Sequence, residues 1–391
     1  MEAVIAGGGI GGLAVAAGLH KRGWRVTVLE QTAGFSVVGS GISLWPNAFR
    51  ALATVGVTGD LGERIRAAGG LRDYRGRWIV RMDSGAAVTH TASAVVAHRH
   101  DLRTALLEHV PESSRLAGVR VRGVRVDGDR AVVTHDGGEL TADLVIGADG
   151  AHSAVRAALW PSVAPEYAGD TAWRLILPRP ASLADAGTAI WAETWGPNAV
   201  FGLFPVSGDR VYCYGTAVVP PGLRSPDGEL AELRRRFGDW CEPIPTVLAA
   251  ATQDQVLRHD IHALPPLDTY VRGPVALLGD AAHAMVPYLG QGGCQALEDA
   301  ATLCVAVETQ PDLPTALRRY DELRRPRTQA MARKSRMAGA AWHLSWPPAR
   351  VVRNALLRAV PTSLVVRSMA RPFSWRPEDG LTDVTPIRPG V

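Results

Sequence analysis

Val4-Ile5-Ala6-Gly7-Gly8-Gly9-Ile10-Gly11-Gly12-Leu13 stands at the head of the 391-residue chain and leaves it few architectures. Residues 3–6 read as a short apolar strand, Gly7, Gly9 and Gly12 supply G-x-G-x-x-G, and Leu13–His20 reads as a helix. A second strand, Arg25–Leu29, ends on Glu30, eighteen positions after Gly12. The first glycine makes the turn, the second lets backbone approach a pyrophosphate, and the third lets helix and strand pack closely. The helix N-terminus faces the phosphates, and the acid accepts ribose hydroxyls. The glycines alone would mean only a tight turn; strand, helix and acid together predict a dinucleotide site.

Two later segments narrow the nucleotide. Pro274–Leu278 is wholly apolar, as a parallel strand buried on both faces must be. It runs into Gly279-Asp280-Ala281-Ala282-His283 and then Pro287-Tyr288-Leu289-Gly290-Gln291-Gly292-Gly293-Cys294. A nicotinamide dinucleotide has no evident need for this second glycine-rich strand-loop-helix, whereas an extended flavin dinucleotide does. Between the two stands Asp143–Arg156, another buried strand, which runs into Asp149-Gly150.

These three segments in this order resemble the FAD-dependent aromatic hydroxylases, the p-hydroxybenzoate hydroxylase-like or group A flavoprotein monooxygenases. Gly41-Ile42-Ser43-Leu44-Trp45-Pro46-Asn47 and Arg99-His100-Asp101-Leu102 also match. The resemblance covers about residues 1–345 and is nearest to short members such as the salicylate, 6-hydroxynicotinate and urate hydroxylases. It implies an α/β fold: a Rossmann-like, GR2-type FAD-binding domain, an inserted and mostly antiparallel β-sheet substrate domain, and a C-terminal helical segment. The expected division is 1–70, 98–164 and 269–345 for the FAD domain, 71–97 and 165–268 for the substrate sheet, and 346–391 for a C-terminal helix and tail.

The resemblance also implies the cofactor contacts. Gly7, Gly9, Gly11 and Gly12 belong to the pyrophosphate turn, and Glu30 with Gln31 to the adenine-side ribose. Arg99 offers a charge-assisted fork to phosphate oxygens. Asp149 lies near the pyrophosphate and the transient NADH or NADPH site, although a turn and helix cap would account for it too. Asp280 meets the ribityl chain, and Ser43, Gly290, Gln291, Gly292, Gly293 and Cys294 meet the flavin ring. Cys294 reads as a buried small residue rather than a reactive thiol. The implied reaction is hydroxylation of an aromatic or heteroaromatic small molecule through a flavin C4a-hydroperoxide, consuming NAD(P)H and dioxygen. The flavin carries the chemistry, so no essential metal and no triad of protein residues are expected. Epoxidation or oxidative tailoring of a natural product uses the same intermediate, and an FAD-dependent reductase that ignores dioxygen is the other alternative.

The pocket is expected between Pro287 and the antiparallel sheet. Alternation on Thr171–Leu177 sets Trp173 and Leu175 opposite Ala172, Arg174 and Ile176, while Tyr212, Tyr214 and Thr216 share a face of Arg210–Val218. Trp45, Trp191, Trp195, Phe201 and Phe204 are further aromatic candidates. Arg174 interrupts an apolar strand, so it needs an anion, either a protein acid or the substrate. Urate hydroxylases of this family carry an Arg near the start of the strand that here reads Pro197-Asn198-Ala199-Val200; its absence argues against urate.

Composition excludes more than it selects. Formal charge is +4 and the cations are almost all Arg, with Lys only at Lys21 and Lys334. Acids interrupt the Arg318–Arg336 run at its start, which favours a solvated helix face over a nucleic-acid patch. Four scattered cysteines give no zinc or disulfide spacing. No apolar run reaches membrane-span length, so a cytoplasmic monomer or homodimer is expected. Pro311, Pro314 and Pro326 should mark helix starts or breaks in the long segment ending near Leu344. Residues 349–371 read as an amphipathic basic helix, docked on the body or lying on a membrane surface, and the Pro-rich tail from Arg376 as poorly ordered.

Overall fold

The computed structural model describes residues 1–35, 40–59, 61–64, 69–82, 94–183, 191–361 and 373–379. A six-stranded sheet runs in the order Val271–Arg272, Val275–Leu277, Leu144–Gly147, Glu2–Ala6, Arg25–Glu30, Arg115–Ala117. Its strands are parallel except for the hairpin between the first two. The apolar run Leu144-Val145-Ile146 fills the centre and is fully buried, because helices cover both faces of a parallel sheet. Ile10–Lys21 has ten buried residues in succession, Ile10 to Leu19. A helix apolar all round must be enclosed all round, and this one packs against the Gly292–Thr309 helix. The two glycine-rich segments, nearly 300 residues apart in sequence, thus meet over one sheet end.

A seven-stranded sheet forms the second layer system, ordered Leu257–Ala263, Glu166–Pro178, Arg210–Val218, Ala199–Val206, Ala192–Gly196, Gly69–Asp73, Trp78–Met82. Only the Ala192–Gly196 pairing with Gly69–Asp73 is parallel. One face buries Trp173, Leu175, Phe201 and Leu203 against Leu233 and Phe237 of the Glu229–Phe237 helix and Ile244 of the Ile244–Ala250 helix. The other face carries Tyr212 and Phe204, which pack with Trp45 and Val96, so the two layers meet there.

Three expectations differ in detail. Glu139–Ile146 is not one strand. Gly138–Ala142 pairs antiparallel in the small meander with Arg130–His135, and Leu144–Gly147 pairs parallel in the main sheet. Asp143 makes the joint by accepting the Glu2 N–H at 2.8 Å and sitting 3.2 Å from Arg130. Pro326 neither starts nor ends a helix, since Leu313–Trp342 runs through it. The donor it lacks would have met Glu322, and both residues lie on the exposed side, where water takes the freed carbonyl. The amphipathic segment is helical over Pro347–Ala359; its continuation over 362–371, the tail from 380, and the start of the expected Thr188–Thr194 strand lie outside the described residues.

Candidate functional site

The first glycine turn separates into residues that the fold needs and one that it does not. Gly7 has φ +102°, and a Cβ there would lie 2.4 Å from the Ala148 carbonyl oxygen. A Cβ on Gly12 would stand 2.0 Å from the Gly7 carbonyl oxygen, and one on Gly11 2.7 Å from Leu278. Gly9 has φ −74°, which any residue adopts, and a Cβ on it would meet nothing within 4 Å. The space beside Gly9, at the N-terminus of the Ile10–Lys21 helix, is open.

Glu30 sits under this opening. Its carboxylate accepts the Gly8 N–H at 2.9 Å and the Thr32 N–H and hydroxyl at 2.9 and 2.8 Å. Gln31, next along, is exposed. Arg103, which the sequence reading missed, is buried 3.7 Å from Glu30 and stacks over Phe35 at 5.4 Å. Its Nε and one terminal nitrogen have no hydrogen-bond partner. Burial pulls its pKa down and the Glu30 charge holds it up. The signal was available: Arg103 follows Arg99 by one helical turn, and i, i+4 residues share a face. Asp149 caps the Ala154–Leu159 helix by accepting the Ala154 N–H at 2.7 Å. Its other oxygen is buried without a partner, and burial pushes the carboxyl above its usual range. The cap reading of Asp149 accounts for only half of its valence.

The second glycine loop rests on a buried polar network. Arg324 donates to Asp299 at 2.7 Å, to Glu298 at 2.5 Å and to the Gln295 side chain at 2.8 Å. Glu298 accepts Asn47 at 2.7 Å, and Asn47 in turn donates to Gln291 at 3.1 Å. Asp299 accepts the Gly279 N–H at 2.9 Å and meets His283 at 2.5 Å. The charges of His283 and Arg324 outweigh the penalty of burial and hold Asp299 down at about 2. The amide nitrogen of Gln291 is buried and unpartnered, and a Cβ on Gly292 would meet nothing within 4 Å. The buried Cys294 thiol donates to the Ser43 carbonyl at 3.4 Å and is pushed up to about 12 by burial. Gly290, with φ +59°, turns beside Ser43 and Trp45.

Arg99 and Asp280 stand where the two layers meet. Both are exposed to solvent, yet Arg99 is walled in by protein and its pKa is lowered. Asp280 opposes the lowering, and Arg174 across the cleft adds to it. The opposing wall is a row across the sheet, set by strand register: Glu193 opposite Gly202, Gly202 opposite Tyr214, Tyr214 opposite Arg174. A Cβ on Gly202 would lie 2.3 Å from the Tyr214 ring. The missing side chain lets Tyr214 lie across to Glu193, which accepts its hydroxyl at 2.9 Å. Burial raises both groups, with Tyr214 held well above an ordinary tyrosine. Burial raises the Tyr212 pKa and the nearby Arg174 charge pulls it back. Glu193 was missed in the sequence because only cross-strand register brings it to Tyr214.

Among the other aromatics, Phe201 faces away, 5.3 Å from Phe237 in the opposite core. It has the opposite parity to Phe204 three residues on, and Phe204 stacks at 5.9 Å on Tyr214. Trp45 and Trp191 pack in the small cluster with Tyr212, while Trp195 carries Arg353 over its ring at 4.9 Å. Pro287 is exposed at the cleft loop. Beside it Tyr288 donates to buried Asp170, and His343 meets the same oxygen at 3.0 Å, tying loop, sheet and C-terminal helix together.

Comparisons with known proteins agree with this geometry. The FAD binding domain family model matches residues 1–335. The chain is 35% identical to an aurachin C monooxygenase/isomerase of Stigmatella aurantiaca, over 96% of this chain and 99% of that one. It is 36% identical to a 3-amino-4-hydroxybenzoate 2-monooxygenase of Streptomyces cremeus, over 92% and 93%. Klebsiella pneumoniae HpxO, solved with FAD and uric acid, superposes with a TM-score of 0.86 at 30% identity, over 95% and 96%. The residues present suit FAD: open space at Gly9 and Gly292, with buried unpartnered donors at Arg103 and Gln291. The chain belongs to the FAD binding domain family and is an FAD-dependent monooxygenase.

Proposed function

We propose that the protein uses NADH or NADPH and dioxygen to hydroxylate a planar aromatic or heteroaromatic small molecule carrying an ionisable oxygen. The observation behind this reading is the Glu193–Tyr214–Arg174 row facing Arg99 across the cleft. The ring acids in the relatives' names support a ring substrate. The strand start Pro197-Asn198-Ala199-Val200 lacks the Arg that urate hydroxylases carry near it, which speaks against urate itself.

FAD, when bound, supplies hydride acceptance from NAD(P)H and the activation of dioxygen. In this reading Gly9 passes the pyrophosphate at the helix N-terminus, Gly11 and Gly12 hold the turn that carries it, and Arg103 donates towards the pyrophosphate or its ribose. Glu30 and Gln31 take the ribose, and Asp149 and Arg99 the phosphate edge. Asp280 takes the ribityl hydroxyls. Ser43, the Gly290–Gly293 loop and Cys294 border the ring. The N-terminus of the Gly292–Thr309 helix favours negative charge there. Arg174 takes the substrate's anionic oxygen. Tyr214 stays protonated at working pH and, fixed by Glu193, offers a neutral polar contact. Pro287, Ile176 and Phe204 flank the ring and keep water out. The NAD(P)H requirement and free thiols suit a cytoplasmic setting.

The test is NAD(P)H oxidation by FAD-loaded protein in air across anionic phenols, N-heterocycles, neutral indoles and alkenes, with peroxide counted and products weighed. Acceleration by ring anions, little peroxide and a product heavier by one oxygen support the reading. Acceleration by alkenes alone replaces it with epoxidation, and reduction that no compound stimulates refutes the substrate class.

A further inference from the structure

The Pro347–Ala359 helix is turned inside out relative to an ordinary docked helix. Polar groups hold it to the body. Arg353 lies 4.9 Å over the Trp195 ring and donates to the Ala341 carbonyl at 3.0 Å. Arg358 donates to the Trp78 carbonyl at 3.1 Å. No residue of the helix is buried. Its apolar side chains stand in solvent instead, with Val351 68%, Val352 57% and Leu356 64% exposed. Met337 and Trp346 before it are 74% and 67% exposed. Of the eleven large hydrophobic residues exposed among the described residues, six fall between Met337 and Val360.

Charge on this stretch is as one-sided as its hydrophobicity. From Leu323 to Pro377 the sequence has twelve Arg or Lys and no Asp or Glu. Arg324, Arg325 and Arg327 pair with acids elsewhere, whereas Arg333, Lys334, Arg336 and Arg358 are exposed near the apolar residues. An apolar patch rimmed by polar groups marks a contact surface, and the charge decides which kind. A second copy packed through a two-fold axis would set this acid-free segment against its own image, which like-charge repulsion disfavours. A nucleic acid would satisfy the cations and leave the valines and Leu356 wet. An anionic bilayer surface takes both, apolar side chains at the acyl boundary and cations among the headgroup phosphates.

We propose that the Pro347–Ala359 helix, with Met337 and Trp346, docks the protein peripherally on an anionic lipid bilayer. No described helix is long and apolar enough to cross one, so the attachment is to the surface. The helix is fastened to Trp78 on the edge strand and to Trp195 two strands in from it, so docking brings that end of the seven-stranded sheet to the membrane.

The experiment is co-flotation of the FAD-loaded full chain with vesicles of phosphatidylcholine alone or with about one-third phosphatidylglycerol. Binding should be at least ~10-fold stronger to the anionic vesicles and fall steeply between about 0.1 and 0.5 M salt. The Val351→Asp/Leu356→Asp variant should lose ~10-fold or more of it, while keeping FAD content and NAD(P)H oxidation in vesicle-free solution. Arg358→Glu should weaken binding in the same direction. Equal binding to both vesicle types, or none by the wild type at low salt, overturns the proposal. So does a wild-type dimer by light scattering that the double aspartate variant converts to monomer, since a second copy then covers the face.

Discussion

Replacing Gly9 and Gly12 by alanine, one at a time, should divide ligand binding from folding within a single turn. At Gly12 the new methyl would stand 2.0 Å from the Gly7 carbonyl oxygen, so strand end and helix must separate. Overpacking of this kind costs about 1–3 kcal/mol, and a backbone obstacle cannot rotate aside, which puts the expectation at the upper end. At Gly9 the methyl meets nothing within 4 Å and the backbone is already extended. The only cost to the apoprotein is exchanging glycine for alanine at a helix N-cap, about 0.5–1 kcal/mol. The same methyl occupies the space a pyrophosphate needs, so FAD affinity should fall at least tenfold, about 1.4 kcal/mol. Melting of apoprotein and quenching titrations of FAD fluorescence read the two terms separately. With about 2–4 °C per kcal/mol, Gly9→Ala apoprotein should melt within a few degrees of wild type and Gly12→Ala clearly lower. Wild-type FAD affinity in Gly9→Ala would refute the reasoning, as would equal destabilisation by both.

Arg174→Ala should raise the substrate KM about tenfold or more while leaving the rate of flavin reduction by NAD(P)H nearly unchanged; an unaltered KM in folded protein removes Arg174 from the pocket. Asp299, held at about 2 against an ordinary 3.8, adds roughly 2 kcal/mol that is present above pH 3.8 and lost as pH falls towards 2. Asp299→Asn should therefore destabilise at neutral pH and flatten the acid limb of the stability profile, and an acid limb as steep as wild type's would contradict this. Cys294, buried with its thiol pushed to about 12, should stay unmodified by iodoacetamide in native protein while the less buried Cys241 reacts. Mass spectrometry that finds Cys294 alkylated first would count against the buried loop geometry.

What the sequence disclosed was local. A glycine at φ +102° or under a carbonyl is dictated by atoms within one turn and its neighbouring strand, so the motif carried its own explanation. Buried parallel strands were legible because both faces must be apolar. Parity along Thr171–Leu177 set Arg174 on the face opposite Trp173 and Leu175, and those two lie together in the core against the Glu229–Phe237 helix. Glu193 was not legible, because its meeting with Tyr214 depends on two strand registers and on the absence of a side chain at Gly202. Phe201 and Phe204 were read together, although an odd spacing along a strand sends them to opposite faces. Arg103 was overlooked in favour of Arg99, one turn before it. The C-terminal helix was recognised as amphipathic, but which face turns inward is decided by Trp78 and Trp195, far away in sequence.

The last described residues fold back onto the first third of the chain. Phe373 stacks on Trp45 with ring centroids 4.2 Å apart, Arg50 donates to the carbonyls of Phe373 and Trp375, and Arg324 lies over the Trp375 ring. Trp45 also stands beside Gly290 in the second glycine loop, so this aromatic stack braces the loop proposed to border the flavin ring. A contact made by residues remote in sequence from both glycine motifs thereby becomes part of what keeps the cofactor in place, and loss of the Phe373 ring should register as weaker FAD retention.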